Sequence, residues 1–194
     1  IGEDRVCLAL GDNIFFGSNL REKLMTAKNS KSGATVFGCY MDDPRPFGVV
    51  EFDGDGKVIS IEEKPENPKS NYIVPGLYFY DNRVVEIAKT VKPSARGELE
   101  ITSVNNAYLN MGELHIVPLD KDITWFDTGN SNTLLDAACA IRNYKDSTGT
   151  QIGCLEETAY KNGMITHEKL LSVAESIKMS DYGEYLMGFA MANR

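Results

Sequence analysis

Two aspartates, Asp12 and Asp127, each follow a short apolar run and lie within two residues of a glycine. Residues 6–10 have the spacing of a buried strand, and Asp12 comes where that strand ends. In an open α/β sheet, ligands bind beyond the carboxyl ends of the strands, and magnesium takes oxygen ligands such as carboxylates. The pair therefore fits a two-carboxylate magnesium site that carries phosphates. The alternative that the residues leave open is that Asp12 and Asn13 cap a following helix.

Two further segments pair a carboxylate with a cation. Glu63 and Lys64 follow a predicted strand, and neighbouring side chains on an extended backbone point to opposite faces. One could hold a sugar hydroxyl while the other reaches a phosphate. Arg96 and Glu98 repeat the pairing in a loop. The alternatives are solvated charges at a strand end and a surface salt bridge, which is worth little. Convergence of these loops with the aspartates would form a sugar-phosphate site with a metal ion.

The elements that must position these residues alternate between strand and helix patterns. Pro75 and Gly76 interrupt one strand pattern, which indicates a bulge or a sheet edge. An Asp-Gly turn at residues 53–56 joins a hairpin, and a hairpin beside parallel-type strands predicts a mixed sheet. The predicted strands are residues 6–10, 34–41, 48–52, 57–62, 72–80, 114–118 and 124–127. The first predicted helix begins near Leu20. The further predicted helices cover residues 84–91, 100–110, 131–144, 154–161, 167–173 and a C-terminal segment around residues 185–190.

Composition and charge exclude several classes of protein. The 194 residues carry a formal net charge of -8 without a run of Lys or Arg, which argues against nucleic-acid binding. No stretch reaches the apolar length of a membrane span, and no signal peptide opens the chain, so we expect no membrane partner. The four cysteines form no CxxC pair, and three are expected to be small residues of the protein core. This pattern indicates a reducing, cytoplasmic compartment.

The last part of the chain differs from the rest because its strand patterns stop after residue 149. We therefore predict two parts: residues 1–149 as the core, and residues 150–194 as a helical interface or regulatory segment. Tyr185, Leu186 and Phe189 share one helix face there, which is expected in a core or an interface. The chain begins with Ile1 rather than Met, and we interpret it as part of, or a processed product of, a longer protein.

Several strings in order resemble the glucose-1-phosphate thymidylyltransferases, a branch of the sugar nucleotidyltransferases. The resemblance runs essentially from end to end. The narrower branch is indicated by residues 96–102 (RGELEIT) and 182–186 (YGEYL). The wider family is indicated by residues 10–17 (LGDNIFFG), 62–65 (EEKP) and 125–129 (WFDTG).

The resemblance implies a Rossmann-like mixed β-sheet flanked by helices and a magnesium-dependent reaction. In that reaction, glucose 1-phosphate attacks the α-phosphorus of dTTP, which gives dTDP-glucose for the dTDP-rhamnose pathway and releases pyrophosphate. Phe47 stands where this branch often has Tyr, so the aromatic wall is kept without the hydroxyl. By the family pattern, the metal is held by Asp12 and Asp127, the sugar phosphate by Lys64 and Arg96, and the sugar by Glu63, Glu98, Gly48 and the backbone of Val74, with Trp125 lining the site.

The resemblance also implies a homo-oligomer, dimer or tetramer, with a second nucleotide site for feedback inhibition. That site would be lined by Phe16, Gly17, Lys121, Glu157 and Lys161, and its two lysines replace the arginines common in the family. The family's glycine-rich Gly-Thr-Arg-Leu-x-Pro string and its lysine are absent from these 194 residues. We therefore expect the 194-residue chain to be inactive alone. The alternatives are a non-catalytic sugar-phosphate-binding or regulatory module, and a uridylyl- or cytidylyltransferase homologue.

Overall fold

The computed structural model describes residues 1–193, which form two compact units, Ile1–Ala137 and a second one from Ala138 onwards. The strands, all in the first unit, are β1 (Val6–Ala9), β2 (Asn13–Gly17), β3 (Ala34–Tyr40), β4 (Gly48–Phe52), β5 (Val58–Glu63), β6 (Tyr72–Ile73), β7 (Leu77–Tyr80), β8 (Leu114–Pro118) and β9 (Ile123–Asp127). The helices are α1 (Leu20–Asn29), α2 (Val84–Thr90), α3 (Ile101–Asn110), α4 (Ser131–Thr148), α5 (Leu155–Lys161), α6 (His167–Ser176) and α7 (Asp181–Ala192).

Seven strands form one mixed sheet in the order β1-β7-β3-β6-β4-β5, with β8 beside β3. The β3–β8 pair is parallel, and the other pairs of this sheet are antiparallel. Pro75 and Gly76 separate β6 from β7, as the sequence predicts, because proline cannot donate to a sheet ladder. Helix α3 packs on β5. These features confirm the predicted α/β fold with a mixed sheet flanked by helices.

The core of the first unit lies where α2 and α3 cover the sheet. The strands that supply it are rich in β-branched and aromatic residues, which fit a pleated, half-buried surface. Tyr80 and Tyr108 stack with ring centroids 5.6 Å apart, and the Tyr80 hydroxyl donates to Asn105 Oδ1 at 2.7 Å. The buried cluster comprises Ala34, Val36, Val50, Val58, Ile61, Val74, Tyr78, Tyr80, Val84, Val104 and Tyr108.

A separate two-stranded ribbon joins β2 to β9, with Asn13 opposite Asp127 and Gly17 opposite Ile123. No pattern in the sequence predicted β2. The interpretation of Asp12 and Asn13 as helix caps is wrong, because a strand follows Asp12 and the next helix begins only at Leu20. The ribbon brings the two predicted metal ligands to the same end of a pair of strands.

The expectation that residues 6–10 are a buried strand is only partly right. They include strand β1, but Cys7, Leu8, Ala9 and Leu10 are exposed. The physical reason is position, since within residues 1–193 β1 pairs only with β7 and stands at the sheet edge. The prediction of three core cysteines is also wrong, because Cys7 and Cys139 are exposed, Cys39 is half-buried and only Cys154 is buried.

The second unit is helical, and α6 and α7 pack against each other within it. Leu186 of α7 is fully buried, while Tyr185 and Phe189 pack around the same cluster. The apolar face of α7 therefore forms the core of its own unit. The unit takes in α4 from Ala138, ahead of the predicted boundary after residue 149. Among the described residues, no helix combines the length and apolar character needed to cross a membrane.

Candidate active site

A cavity of about 200 Å³ in the first unit gathers most of the predicted sugar-binding residues. It lies at the junction of the ribbon, the end of β5 and the break between β6 and β7. A larger cavity of about 700 Å³ borders β1, but none of the predicted site residues lines it. The predicted residues that line the smaller cavity are Gly48, Glu63, Lys64, Val74, Trp125 and Asp127.

Glu63 is held by helix α3, because the buried hydroxyl of Thr102 donates to Glu63 Oε2 at 2.5 Å. Burial raises the pKa of Tyr78, another cavity residue, and the negative charge of Glu63 raises it further. Tyr78 is therefore a neutral phenol at physiological pH. Thr102 was not predicted as a site residue. It lies within a string quoted for the resemblance, but nothing in the sequence showed that it would face Glu63.

Lys64 is the non-glycine residue with a positive φ, 46°, among the described residues. That left-handed conformation is rare for a residue with a Cβ and is typical of functional sites. It also makes the expectation of opposite faces for Glu63 and Lys64 wrong, because the backbone is no longer extended and both residues line one cavity. The Lys64 N–H donates to the Phe47 carbonyl at 2.9 Å, which fixes the turn.

Trp125 forms an aromatic wall together with Phe47, whose ring meets the indole edge to face at a centroid distance of 5.2 Å. The indole Nε1–H donates to Asn13 Oδ1 at 2.8 Å. Asn13 also lines the cavity and was not assigned a site role from sequence. The available signal was its place directly after Asp12 in the motif.

Gly48 and Val74 join the cavity through neighbouring strands. The Val74 N–H donates to the Gly48 carbonyl at 2.9 Å, so this amide is used by the fold. A Cβ at position 48 would lie 3.2 Å from Thr102 Oγ1 and 3.4 Å from Glu63 Oε2. A side chain at position 48 would therefore crowd the Glu63–Thr102 hydrogen bond.

The two aspartates lie at one end of the ribbon. The Thr128 N–H donates to the Asp12 carbonyl at 2.8 Å, which ties the chain after Asp127 to the segment before Asn13. Asp12 Oδ1 accepts from Asn13 Nδ2 at 2.9 Å, and Asp127 Oδ1 accepts from the Gly129 N–H at 3.1 Å. Within residues 1–193, no group of three or more His, Cys, Asp or Glu residues could hold a metal ion.

Arg96 and Glu98 do not line the cavity. Arg96 Nη2 lies 3.0 Å from Glu98 Oε2, and the two side chains are 39% and 63% exposed. This is the surface pair that the sequence left as an alternative to ligand binding.

The predicted regulatory residues are divided between the two units. Phe16 is buried and stacks on Phe126 of the ribbon, with Gly17 after it, while Lys121 is exposed before β9. In the second unit, Lys161 Nζ lies 2.5 Å from Glu157 Oε1.

Tyr185 extends the Glu157–Lys161 pair of the second unit, because its hydroxyl donates to Glu157 Oε2 at 2.5 Å. Burial together with this hydrogen bond raises the pKa of Tyr185 to about 12. The Tyr185 hydroxyl is thus a hydrogen-bond donor across the physiological range.

Comparison with known proteins gives a consistent set of relatives. Residues 1–144 match the family model described as nucleotidyl transferase. A glucose-1-phosphate thymidylyltransferase of Neisseria meningitidis serogroup A / serotype 4A is 47% identical over 187 residues, which are 96% of this chain and 65% of the relative. The protein of that name from Mycolicibacterium smegmatis is 48% identical, with the same two shares. The chain thus spans about 65% of the length of these relatives.

Solved structures agree with this comparison. A Bacillus anthracis protein provisionally given the same enzyme name, crystallised in complex with a sucrose, is 44% identical with a TM-score of 0.64, covering 73% of this chain and 56% of that one. A UDP-glucose pyrophosphorylase complexed with UDP-glucose is 19% identical with a TM-score of 0.60, covering 74% of this chain and 58% of that one. At this identity the second match shows the fold alone.

Proposed function

Because the chain belongs to the nucleotidyl transferase family, we propose that it supplies the sugar-phosphate site of a glucose-1-phosphate thymidylyltransferase. Such an enzyme transfers the thymidylyl group of dTTP to glucose 1-phosphate and releases pyrophosphate. The observation that carries the proposal is the cavity, where the carboxylate and the ammonium group of one segment meet an indole from a distant segment. The two curated relatives that are similar along 96% of the chain support the choice of substrate.

In this proposal, the cavity residues bind the two halves of glucose 1-phosphate. Glu63, oriented by Thr102, accepts hydrogen bonds from sugar hydroxyls, and the Lys64 ammonium group offsets the phosphate charge. The aromatic wall of Trp125 and Phe47 covers the apolar face of the sugar ring. A phosphate oxygen then attacks the α-phosphorus of dTTP, the new P–O bond forms, and the bond to pyrophosphate breaks. No covalent enzyme intermediate is needed, so catalysis consists of positioning and charge neutralisation.

The predicted second phosphate ligand, Arg96, requires an exchange of partners in this proposal. Arg96 is paired with Glu98, its Nη1 also lies 4.0 Å from Glu100 Oε1, and neither Arg96 nor Glu98 lines the cavity. A surface pair of this kind is worth about 0–1 kcal/mol. A dianionic phosphate can therefore compete with Glu98 for the guanidinium at little cost.

Asp12 and Asp127 would hold the magnesium ion. Each carboxylate accepts a hydrogen bond on Oδ1, and neither second oxygen is hydrogen-bonded within residues 1–193. Carboxylate oxygens suit magnesium, which is commonly bound by one or two carboxylates together with substrate phosphates. When bound, the ion would offset phosphate charge and orient the triphosphate. Asn13 and Gly129 would keep the two carboxylates oriented.

The remaining expectations extend the same proposal. We propose a cytoplasmic dimer or tetramer, and the free cysteines support the reducing compartment. Phe16, Gly17 and Lys121 of the first unit, and Glu157 and Lys161 of the second unit, remain the residues predicted to take part in feedback inhibition. Because lysine is a point charge rather than a planar fork, the inhibition should be weaker than in relatives with arginine.

The proposal is tested by titrating the 194-residue chain with glucose 1-phosphate. Trp125 is the single tryptophan, so its fluorescence reports on the cavity wall. We expect a saturable change in fluorescence. We expect Lys64→Ala to lower the affinity for glucose 1-phosphate by about 10- to 100-fold, the range for losing a hydrogen bond to a charged group. Lys57→Ala is the matched control, because Lys57 is an exposed lysine near the hairpin turn.

Glucose and inorganic phosphate serve as ligand controls for this titration. Equal responses to either compound, or no saturable response to glucose 1-phosphate, would contradict the proposed site. An equal loss of affinity in Lys64→Ala and Lys57→Ala would remove Lys64 from phosphate binding.

Turnover is measured with a fusion that adds the part of the Neisseria meningitidis relative that this chain does not match. We expect pyrophosphate release from dTTP and glucose 1-phosphate by the fusion, and none by residues 1–194 alone, since they lack the glycine-rich string. Preference for UTP or CTP would favour the uridylyl or cytidylyl alternative. Sugar-phosphate binding without turnover in the fusion would favour the non-catalytic module.

A further inference from the structure

Asn13 connects three elements of the site through one side chain. Its Nδ2 donates to Asp12 Oδ1 at 2.9 Å. Its Oδ1 accepts from the Gly76 N–H at 2.9 Å and from the Trp125 indole Nε1–H at 2.8 Å. The amide thus joins the metal-binding end of the ribbon, the break between β6 and β7, and the aromatic wall.

The chemistry of these contacts requires an amide in one orientation. An asparagine side chain offers two N–H donors and one oxygen with two lone pairs. Both N–H groups that face Asn13, from Gly76 and Trp125, are donors, so an oxygen must stand opposite them. The reversed amide would place donors against donors and would leave the Asp12 carboxylate without its hydrogen bond.

The indole is thereby fixed on two sides. Asn13 holds its Nε1 end, and Phe47 packs edge to face against the ring. The backbone of Gly76 anchors Asn13 in turn, and Leu10 N–H donates to the Gly76 carbonyl at 2.9 Å. The position of Trp125 therefore depends on the same side chain that orients Asp12.

We propose that Asn13 is a positioning residue, which locks the Trp125 wall and the Asp12 carboxylate to one backbone anchor at Gly76. It sets the distance between the surface that receives the sugar and the carboxylate that serves the phosphates. Its contribution to substrate binding rests on the proposed function. The locking of the indole does not, because it is a property of the chain without ligand.

The locking is tested by the fluorescence of the single tryptophan in the 194-residue chain. Losing a hydrogen bond of ordinary strength shifts the balance between the fixed indole and its other rotamers by about fivefold. We expect Asn13→Ala to change the emission maximum and to increase acrylamide quenching by about twofold. Asn13→Asp keeps an oxygen opposite both N–H groups but replaces the donor to Asp12 with a second carboxylate, so its emission should change less than that of Asn13→Ala. Asn110→Ala, an exposed asparagine at the end of α3, is the matched control.

Gly76→Ala gives a second route to the same displacement without changing Asn13. A Cβ at position 76 would lie 2.8 Å from Asn13 Cγ and 2.6 Å from Leu10 Cδ1, so both side chains must move. Circular dichroism checks the fold of each variant. If the circular dichroism shows that Asn13→Ala is unfolded, Gly76→Ala tests whether Asn13 locks the indole. Gly76→Ala should show the fluorescence change expected for Asn13→Ala. Parent-like emission in the folded Ala variants, or equal changes in Asn13→Asp and Asn13→Ala, would overturn the proposal.

The same variants are then titrated with glucose 1-phosphate. We expect Asn13→Ala to bind about fivefold more weakly, and Asn110→Ala to bind like the parent. Changed emission with unchanged affinity would refute the role in substrate positioning. Absence of binding in the parent itself would refute the proposed function, while the emission result would still decide whether Asn13 locks the indole.

Discussion

The hydrogen bonds around Asp81 predict a specific loss of stability in acid. Burial raises the pKa of Asp81, but hydrogen bonds from Arg83, the Gly33 N–H and Tyr108 lower it by more, to about 2 from its ordinary value of 3.8. The Gly33 N–H lies 2.7 Å from Asp81 Oδ2, and the Tyr108 hydroxyl lies 2.9 Å from Oδ1. The carboxylate therefore stabilises the folded state only while it is ionised.

The size and sign of the effect follow from linkage between protonation and folding. A pKa lowered from 3.8 to about 2 corresponds to about 2 kcal/mol at neutral pH. Water screens part of the interaction between Asp81 and its partners, so we expect Asp81 to contribute about 1–2 kcal/mol to the free energy of unfolding. Because the folded-state pKa is the lower one, the stabilisation is complete above about pH 4 and is lost as the pH falls towards 2.

The assay is urea unfolding of the parent and of Asp81→Asn at pH values from 7 to 2. We expect Asp81→Asn to be less stable at neutral pH and to converge on the parent by about pH 2. Other carboxylates titrate equally in both proteins, so the difference isolates Asp81. Parallel curves for the two proteins between pH 4 and 2 would refute the argument. Asp136→Asn, an exposed aspartate of α4, is the matched control.

Three further predictions concern the site. Gly48→Ala should weaken glucose 1-phosphate binding severalfold in calorimetry, because its Cβ would press on Thr102 Oγ1 at 3.2 Å; parent-like affinity would contradict that crowding. Asp127→Ala in the fusion enzyme should raise the activation barrier by several kcal/mol and leave the circular dichroism unchanged; near-normal turnover at saturating magnesium would show that Asp127 does not bind the metal. Lys161→Ala should relieve end-product inhibition of the fusion, and the second nucleotide site is misplaced if inhibition stays the same.

Local patterns predicted the elements whose structure depends on their own residues. The hairpin β4–β5 follows from the Asp-Gly turn at residues 53–56, and the helix over residues 100–110 follows from its apolar spacing. Strand ends with charged residues indicated Glu63, Lys64 and Asp127 of the cavity lining, and the family resemblance added Gly48, Val74 and Trp125.

The errors arose where the structure depends on distant partners. Strand β2 is short and ends at Gly17, and it forms only because β9 pairs with it. The apolar spacing of β1 resembles that of a core strand, but its burial depends on what lies beyond the sheet edge. The left-handed backbone of Lys64 and the hydrogen bond between Thr102 and Glu63 depend on tertiary contacts that no local pattern encodes.

The pairing of β2 with β9 also determines when the site can form during folding. Asn13 and Trp125 are 112 residues apart, so their hydrogen bond closes a long loop. Closing that loop lowers the conformational entropy of the chain before the contact can stabilise it. Contacts of such sequence separation form slowly and late. The indole, the asparagine and both aspartates therefore come together only after most of the first unit has condensed. In refolding experiments, sugar-phosphate affinity should return after the far-ultraviolet dichroism, and a chain released before β9 is synthesised should have no site.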